Sequence, residues 1–289
     1  MDDNPQPMAD VLFSLPGHRL ITLEGRDAAA FAQAQFMNDV ALLEPGQWQW
    51  SGWLTPKGRV IALFALLKRS DEALWLVLPD ADAAAVAGAL QRFVFRSKVR
   101  IQLREDLHAN GRFGAPDRAS GADFTGEEET GVELDAGSAI APRTLRIDRA
   151  PAPLDEAGAA RWQAFDLEHG LPRLPASQGE HWTPQQLSLD RLRAFSVKKG
   201  CYPGQEIVAR THFLGQAKRG LVLLTADAAL QSGQDVTAGS VAMGKLVATG
   251  FDGAKHLALA VMPLERDAVE LEVDGVAVVE QPLREGLSR

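Results

Sequence analysis

Trp48-Gln-Trp-Ser-Gly-Trp-Leu-Thr55-Pro56-Lys57-Gly58-Arg59-Val60-Ile-Ala-Leu-Phe-Ala-Leu-Leu67 is the stretch that decides the fold class. Residues 48–54 and 60–67 are rich in aromatic and branched side chains, as strands are. Thr55-Pro56-Lys57-Gly58 between them has proline at the second place of a tight turn. Outward from this hairpin, 73–78 reads as a third strand, Asp80 or Asp82 opens a helix through Phe93, and 99–103 is a fourth strand. Strand-strand-strand-helix-strand predicts a small sheet with a helix on one face, a domain of its own over 48–104.

On the N-terminal side, 1–10 reads as a loose tail and 18–23 alternates like a strand. Asp27 can cap a helix over 28–36 that places Phe31 inward and ends at Asn38-Asp39. On the C-terminal side, 104–142 is rich in Gly, Asp and Glu, including Glu127-Glu128-Glu129, and reads as a solvated loop edge. Residues 144–147 form a short strand and 157–169 a helix carrying Trp162 and Phe165. Thr183-Pro184-Gln185-Gln186 is a helix start, with Leu189, Leu192 and Phe195 facing inward. After Arg219 the pattern turns to β, with strands at 220–224, 241–249 and 256–261. Asp252-Gly253 and Asp274-Gly275 are hairpin signals. An antiparallel barrel or sandwich from 215 onward is expected.

The bulk numbers narrow the function classes. A chain of 289 residues exceeds what one core comfortably serves, so two or three domains are expected. Thirty basic against 38 acidic side chains give a net charge of −8, and no basic stripe stands out, so direct nucleic-acid binding is not expected. A single cysteine cannot form an intramolecular disulfide, which fits a reducing compartment. The acidic start lacks a secretory layout, and no apolar run reaches the roughly 20 residues of a membrane helix. The expected location is cytoplasmic.

The candidate centre is Lys198-Lys199-Gly200-Cys201-Tyr202-Pro203-Gly204-Gln205-Glu206. Gly200 would take the left-handed position after the helix begun at Thr183, and Pro203-Gly204 has the composition of a type II turn. Cys201 is then held on a tight loop, and the two lysines before it favour thiolate over thiol. This layout suits a positioned nucleophile, a soft transient ligand or a ligand-contacting loop. The plainer alternative is a small apolar residue packed away. One cysteine cannot supply a multi-cysteine metal site, and the histidines show no metal-binding spacing, so no metal is expected from the chain alone. His212 is either a base for Cys201 or a surface histidine. No glycine-rich nucleotide motif occurs.

The run Phe195-Ser-Val-Lys-Lys-Gly-Cys-Tyr-Pro-Gly-Gln-Glu-Ile-Val-Ala-Arg-Thr211 resembles the defining segment of the YgfZ family, folate-binding relatives of the glycine cleavage T-protein. Gln33-Ala-Gln35-Phe-Met-Asn38-Asp39, Leu54-Thr-Pro-Lys-Gly-Arg59, Gly170-Leu-Pro172, Pro184-Gln-Gln-Leu-Ser-Leu-Asp190 and Phe213-Leu-Gly-Gln-Ala-Lys-Arg219 follow the family's order. The resemblance implies an α+β fold, a T-protein-like three-lobed ring of two α/β plait-like domains and a C-terminal antiparallel β-barrel. In this reading 1–47 with 105–214 form a discontinuous first domain carrying a folate channel and the cysteine loop. Residues 48–104 form an inserted ferredoxin-like domain and 215–289 the barrel. It also implies tetrahydrofolate as cofactor, and a cytosolic role in assembling or repairing iron–sulfur clusters. The partners are then iron–sulfur enzymes, tRNA-modifying ones among them, or their assembly proteins, with no membrane and no direct nucleic acid.

One departure bears on chemistry. The T-protein places a catalytic aspartate pair just after the turn matching Lys57-Gly58, where this chain has Ala62 and Leu63. Aminomethyl transfer needs a group that orients the folate amine and manages protons. The resulting expectation is an accessory protein acting through Cys201, with Lys199 stabilising the thiolate and Gly200 and Gly204 shaping the loop. Tyr202 either stacks on a pterin or anchors the loop. Gln205 and Glu206 contact ligand or fix the loop, and Arg210, Asn38 and Asp39 complete the folate-contacting set. The rivals are a folate-dependent one-carbon transferase using Asp39 or Glu206, and a thiol redox enzyme.

Overall fold

The computed structural model describes residues 11–215 and 217–289; the tail expected at 1–10 lies outside them. The chain builds β1 (Phe13–Ser14), β2 (His18–Glu24), α1 (Ala28–Gln35), β3 (Gln47–Leu54), β4 (Val60–Ser70), β5 (Ala73–Pro79), α2 (Ala83–Gln91) and β6 (Arg100–Leu103). It continues through β7 (His108–Arg112), β8 (Thr125–Glu127), β9 (Gly131–Asp135), β10 (Thr144–Asp148), α3 (Glu156–Glu168) and α4 (Gln205–Leu214). Strands β11 (Arg219–Ala226), β12 (Asp235–Ala238), β13 (Val241–Phe251), β14 (His256–Pro263), β15 (Leu271–Val273) and β16 (Val276–Gln281) follow.

Hydrogen bonds sort these strands into three lobes. The first is a sheet of order β3-β4-β5-β2-β6, the second a sheet of order β1-β7-β10-β9-β8, and the third a closed barrel β11-β14-β13-β12-β15-β16. The fold is α+β with a C-terminal antiparallel barrel, as expected. The boundary expected at residue 48 is different. β2 sits between β5 and β6, with Ile21 opposite both Leu76 and Leu103. Residues 18–103 therefore share one sheet, and β6 would have no partner without β2. β1 instead joins the second sheet, Phe13 opposite Gly111.

The first sheet is buried on both faces, which is why β4 and β5 read as unbroken apolar runs rather than alternating ones. One face carries Ile21, Phe64, Leu66 and Leu76 against Phe31 of α1 and Val86 and Leu90 of α2. The other carries Leu20, Trp48, Trp50, Leu63 and Trp75 into a larger core shared with Val132, Leu145 and Trp162 of the second lobe and Leu221, Val247 and Leu259 of the barrel. A buried ionic chain crosses the same junction. Asp166 of α3 pairs with Arg143 and with Arg173 (3.1 Å), and Arg173 also reaches Asp80 (2.5 Å).

Three local expectations change. The acidic stretch 104–142 contains β7, β8 and β9, and its carboxylates are structural: Glu133 accepts from Arg118 N and Ala119 N, and Glu128 pairs with Arg104 and Arg149. Asp27 makes no side-chain cap for α1 and instead accepts from Lys98 N. The segment from Thr183 is a chain of turns, not a helix. Its capping box does form, since Thr183 N donates to Gln186 Oε1 and Gln186 N to Thr183 Oγ1. Ser188 (φ 48°) and Arg193 (φ 54°) are left-handed, however, and each interrupts the ladder.

Candidate functional site at the Cys201 loop

Residues 194–205 leave the turns of 183–193 and lead into α4. Pro203-Gly204 forms the type II turn that its composition predicts: Gln205 N donates to Tyr202 O at 3.2 Å and Gly204 has φ 78° and ψ 1°. Gly200 is not among the residues with positive φ, so Gly204 is the position that needs glycine. Cys201 is exposed, free and carried at the crest of the loop.

The loop is braced from beneath. Lys199 is only 6% exposed. Its ammonium donates to Gln33 O and Phe36 O at 2.6 Å and to Asn38 O at 3.0 Å. These are carbonyls at the C-terminal end of α1 and just beyond it, where a cation meets unpaired oxygens and the negative end of the helix dipole. Burial pushes its pKa down to about 8, with Asp39 opposing. The role expected for Lys199, direct stabilisation of the Cys201 thiolate, is therefore replaced by one of holding the loop to α1. Tyr202 is also buried, with burial raising its hydroxyl to about 12, and it donates to Ser196 O at 3.1 Å. Of the two roles open to Tyr202, anchoring is the one its position serves. Gln205 Nε2 closes the loop on Lys199 O at 2.9 Å.

Asn38 and Asp39 belong to the same frame. Asn38 Nδ2 donates to Trp50 O and Arg193 O, both at 2.8 Å, and so ties α1, β3 and the 183–193 turns together. Asp39 accepts from Gln33 Nε2 and Ala41 N. Glu206 and Arg210 lie exposed on α4. Hydrogen bonds link Asn38, Lys199, Tyr202 and Gln205 in and around the loop, but Asn38, Lys199 and Tyr202 face inward and are spent on structure, and Arg210 makes no hydrogen bond with the loop among the described residues.

Two turns meet above this frame. A Cβ at Gly204 would lie 2.6 Å from Thr55 O and 2.7 Å from Gly58 Cα, and one at Gly58 would lie 2.8 Å from Ile207 Cβ. The hairpin turn of β3 and β4 is thus pressed onto the turn after Cys201, and only glycines permit the approach. Arg59 Nη1 extends the link to His181 O and Gln186 Oε1, and Gln185 Nε2 reaches Val208 O. Ala62 and Leu63, in the place of the T-protein's acidic pair, are buried in the two apolar cores.

No family model matches the chain. It is similar to the tRNA-modifying protein YgfZ of Vibrio vulnificus strain CMCP6, 31% identical in an alignment of 269 residues that covers 84% of this chain and 81% of that protein. In strain YJ016 the protein of that name is 34% identical over 71% of this chain and 67% of its own length. The chain belongs to the YgfZ family. An uncharacterised Haemophilus influenzae protein is 29% identical over 78% of this chain and 76% of its own. Among solved structures, the glycine cleavage system aminomethyltransferase T from Bartonella henselae superposes with a TM-score of 0.71 over 96% of this chain and 89% of its own, at 16% identity. That likeness shows the fold, three lobes arranged as in the T-protein.

The YgfZ-like motifs placed attention on Cys201, and sequence reasoning missed a second region. A cleft of about 690 Å³ lies between the second sheet, α3 and the barrel, lined by Phe113, Arg161, Phe165, Glu168, Asp252 and Arg284 among others. Glu168 pairs with Arg284 at 2.6 Å, yet burial raises its carboxyl above the ordinary range, and Asp252 adds to the rise. The Arg161 guanidinium sits 4.0 Å over the Phe113 ring and joins no ion pair among the described residues. Behind Phe165, His169 stacks at 4.0 Å and donates from Nδ1 to Phe165 O, leaving a buried Nε2 without a partner. The available signal was Gly170-Leu-Pro172: Gly170 (φ 67°) ends α3 and so places Glu168.

Proposed function

We propose that this protein is a tetrahydrofolate-binding accessory protein of the cytosol. It supports assembly or repair of iron–sulfur clusters in client enzymes, tRNA-modifying ones among them, and Cys201 is its working group. The observation that carries this reading is the convergence of three separate sequence motifs on a fourth, the loop itself. Residues 33–39, 54–59 and 184–190 lie in the frame that braces residues 195–206, and that loop offers a single exposed thiol. A frame of that kind suits a thiol that must meet a partner, since a soft sulfur held clear of the surface can engage iron or a cluster sulfur.

The α3 cleft has the room and the groups for a folate. Its volume is in the range of small-molecule sites. The Glu168 carboxyl would pair with the N–H groups of a pterin, Phe113 and Phe165 would supply apolar ring edges, and Arg161 would meet a glutamyl carboxylate. Bound folate supplies a one-carbon carrier. With apolar Ala62 and Leu63 at the T-protein's acidic position, nothing favours the transferase reading.

The decisive experiment is complementation. Cells carrying only Cys201→Ser should show low activity of iron–sulfur enzymes, while the variant protein accumulates and melts normally. Full activity with serine would remove the cysteine from the mechanism.

A further inference from the structure

Between α2 and β6 the chain reads Gln91-Arg92-Phe93-Val94-Phe95-Arg96-Ser97-Lys98-Val99-Arg100. No acidic residue occurs from 83 to 104, in a chain whose net charge is −8. Arg92, Arg96, Lys98 and Arg100 are all exposed, and none joins an ion pair among the described residues. Phe95 is 84% and Phe93 50% exposed. These rings stand on an ordered frame: Arg92, Phe93 and Val94 donate N–H groups back to Ala89, Leu90 and Gln91 as α2 winds out, and Val94 and Val99 pack into the core. The Arg96 guanidinium lies 5.3 Å over Phe95. Phe93 meets Trp53 edge-on at 5.8 Å, and the indole N–H of Trp53 is buried without a partner. Two acids border the strip. Asp27 accepts from Lys98 N, and Glu24 stands opposite Arg100 in the sheet register.

Four exposed cations outside any ion pair among the described residues, one of them facing Glu24 across the sheet, interleave with two presented aromatic rings and form a surface for a flexible polyanion that carries flat groups. We propose that this strip binds a single-stranded segment of RNA, its bases stacking on Phe95 and Phe93 and its phosphates meeting Arg92, Arg96, Lys98 and Arg100. Charge complementarity selects the polyanion, and the exposed rings select nucleic acid over an acidic peptide, which has no rings to stack. The choice of RNA over DNA rests on the reading that client enzymes modify tRNA; the surface itself does not depend on Cys201 or on folate. This reverses the expectation from net charge alone. The charge that matters is local.

The test is fluorescence anisotropy with a labelled 12-nucleotide single-stranded RNA, using the full-length protein. Competing arms are DNA of the same sequence, duplex RNA and polyglutamate. With up to four phosphates engaged, the slope of log affinity against log salt should approach about −3, weakening binding roughly 50-fold between 50 and 200 mM salt. Phe95→Ala should weaken binding about tenfold with the slope unchanged. Arg96→Glu with Lys98→Glu should weaken it further and flatten the slope. All three positions are exposed, and a melting curve confirms folding. Cys201→Ser should bind RNA like the wild type, so failure of the iron–sulfur reading and failure of this one are separable. Absence of binding at 50 mM salt, or binding indifferent to Phe95, overturns the proposal. Equal affinity for DNA overturns its commitment to RNA, and equal competition by polyglutamate reassigns the strip to an acidic protein.

Discussion

The Cys201 loop and the α3 cleft use polar groups in opposite ways. In the loop nearly every polar side chain is answered within the protein: Lys199 by three carbonyls, Asn38 by two, Tyr202 by Ser196 and Gln205 by Lys199. The Cys201 sulfur, by contrast, is left exposed. In the cleft the balance is incomplete. Arg161 joins no ion pair among the described residues, and the Glu168 carboxyl is held above its ordinary range. A fully satisfied network holds a shape, whereas unanswered groups in a cavity keep capacity for something else. The loop is built to present one atom, and the cleft to receive a molecule.

That contrast can be broken most severely at Gly204. Any side chain there meets backbone at Thr55 and Gly58 and must also adopt φ 78°. Gly204→Val should cost about 3–4 kcal/mol in urea unfolding. A cost under about 1 kcal/mol would mean that the two turns are not interlocked.

Next is Lys199→Met, which leaves three buried carbonyls without their donor and should cost about 2–3 kcal/mol near neutral pH. This effect carries a pH signature. Burial holds Lys199 down to about 8 in the folded chain, below the ordinary lysine value of 10.5. Between these values the unfolded chain binds more protons, so the wild type gains stability as pH rises through the window and the methionine variant does not. From about pH 7 to about pH 9.5 the gap should widen by about 2 kcal/mol in favour of the wild type. An unchanged gap would show that the ammonium is not desolvated.

In the cleft, Glu168→Gln and Arg161→Ala should each weaken tetrahydrofolate binding about tenfold by calorimetry, or about 1.4 kcal/mol, with little change in melting. Equal affinity in both variants would move the folate site elsewhere. The smallest stability effect belongs to Cys201→Ser, within about 1 kcal/mol, because an exposed sulfur contributes little packing. A larger loss would show that the cysteine holds the loop up instead of being held by it.

Much of the frame was legible. The β3–β4 hairpin, the type II turn at Pro203-Gly204 and the hairpin at Asp274-Gly275 follow from residues with few backbone options. Thr183 misled because its capping box forms as written, while the breaks at Ser188 and Arg193 involve residues with no special turn chemistry. β8 and β9 were hidden by acidic residues whose carboxylates serve neighbouring backbone N–H groups and arginines, and β7, His108-Ala-Asn-Gly-Arg112, has few of the branched and aromatic side chains that mark a strand. The α3 cleft could not be read, because its walls come from 113, 161, 252 and 284, distant in the chain.

Sequence alone determined the turns at Thr55–Gly58, Pro203-Gly204 and Asp274-Gly275, the strands β3 to β5, that a lone cysteine sits on a glycine-shaped loop, and which family the motifs resemble. These are local consequences of steric limits on φ and ψ and of side-chain patterning. Tertiary structure alone decided which way Lys199 points. Beside Cys201 in sequence it reads as a partner for the thiol, yet the carbonyls that claim its ammonium lie more than 160 positions earlier. A buried cation goes to the oxygens that replace its water, and only the folded chain shows where those oxygens are.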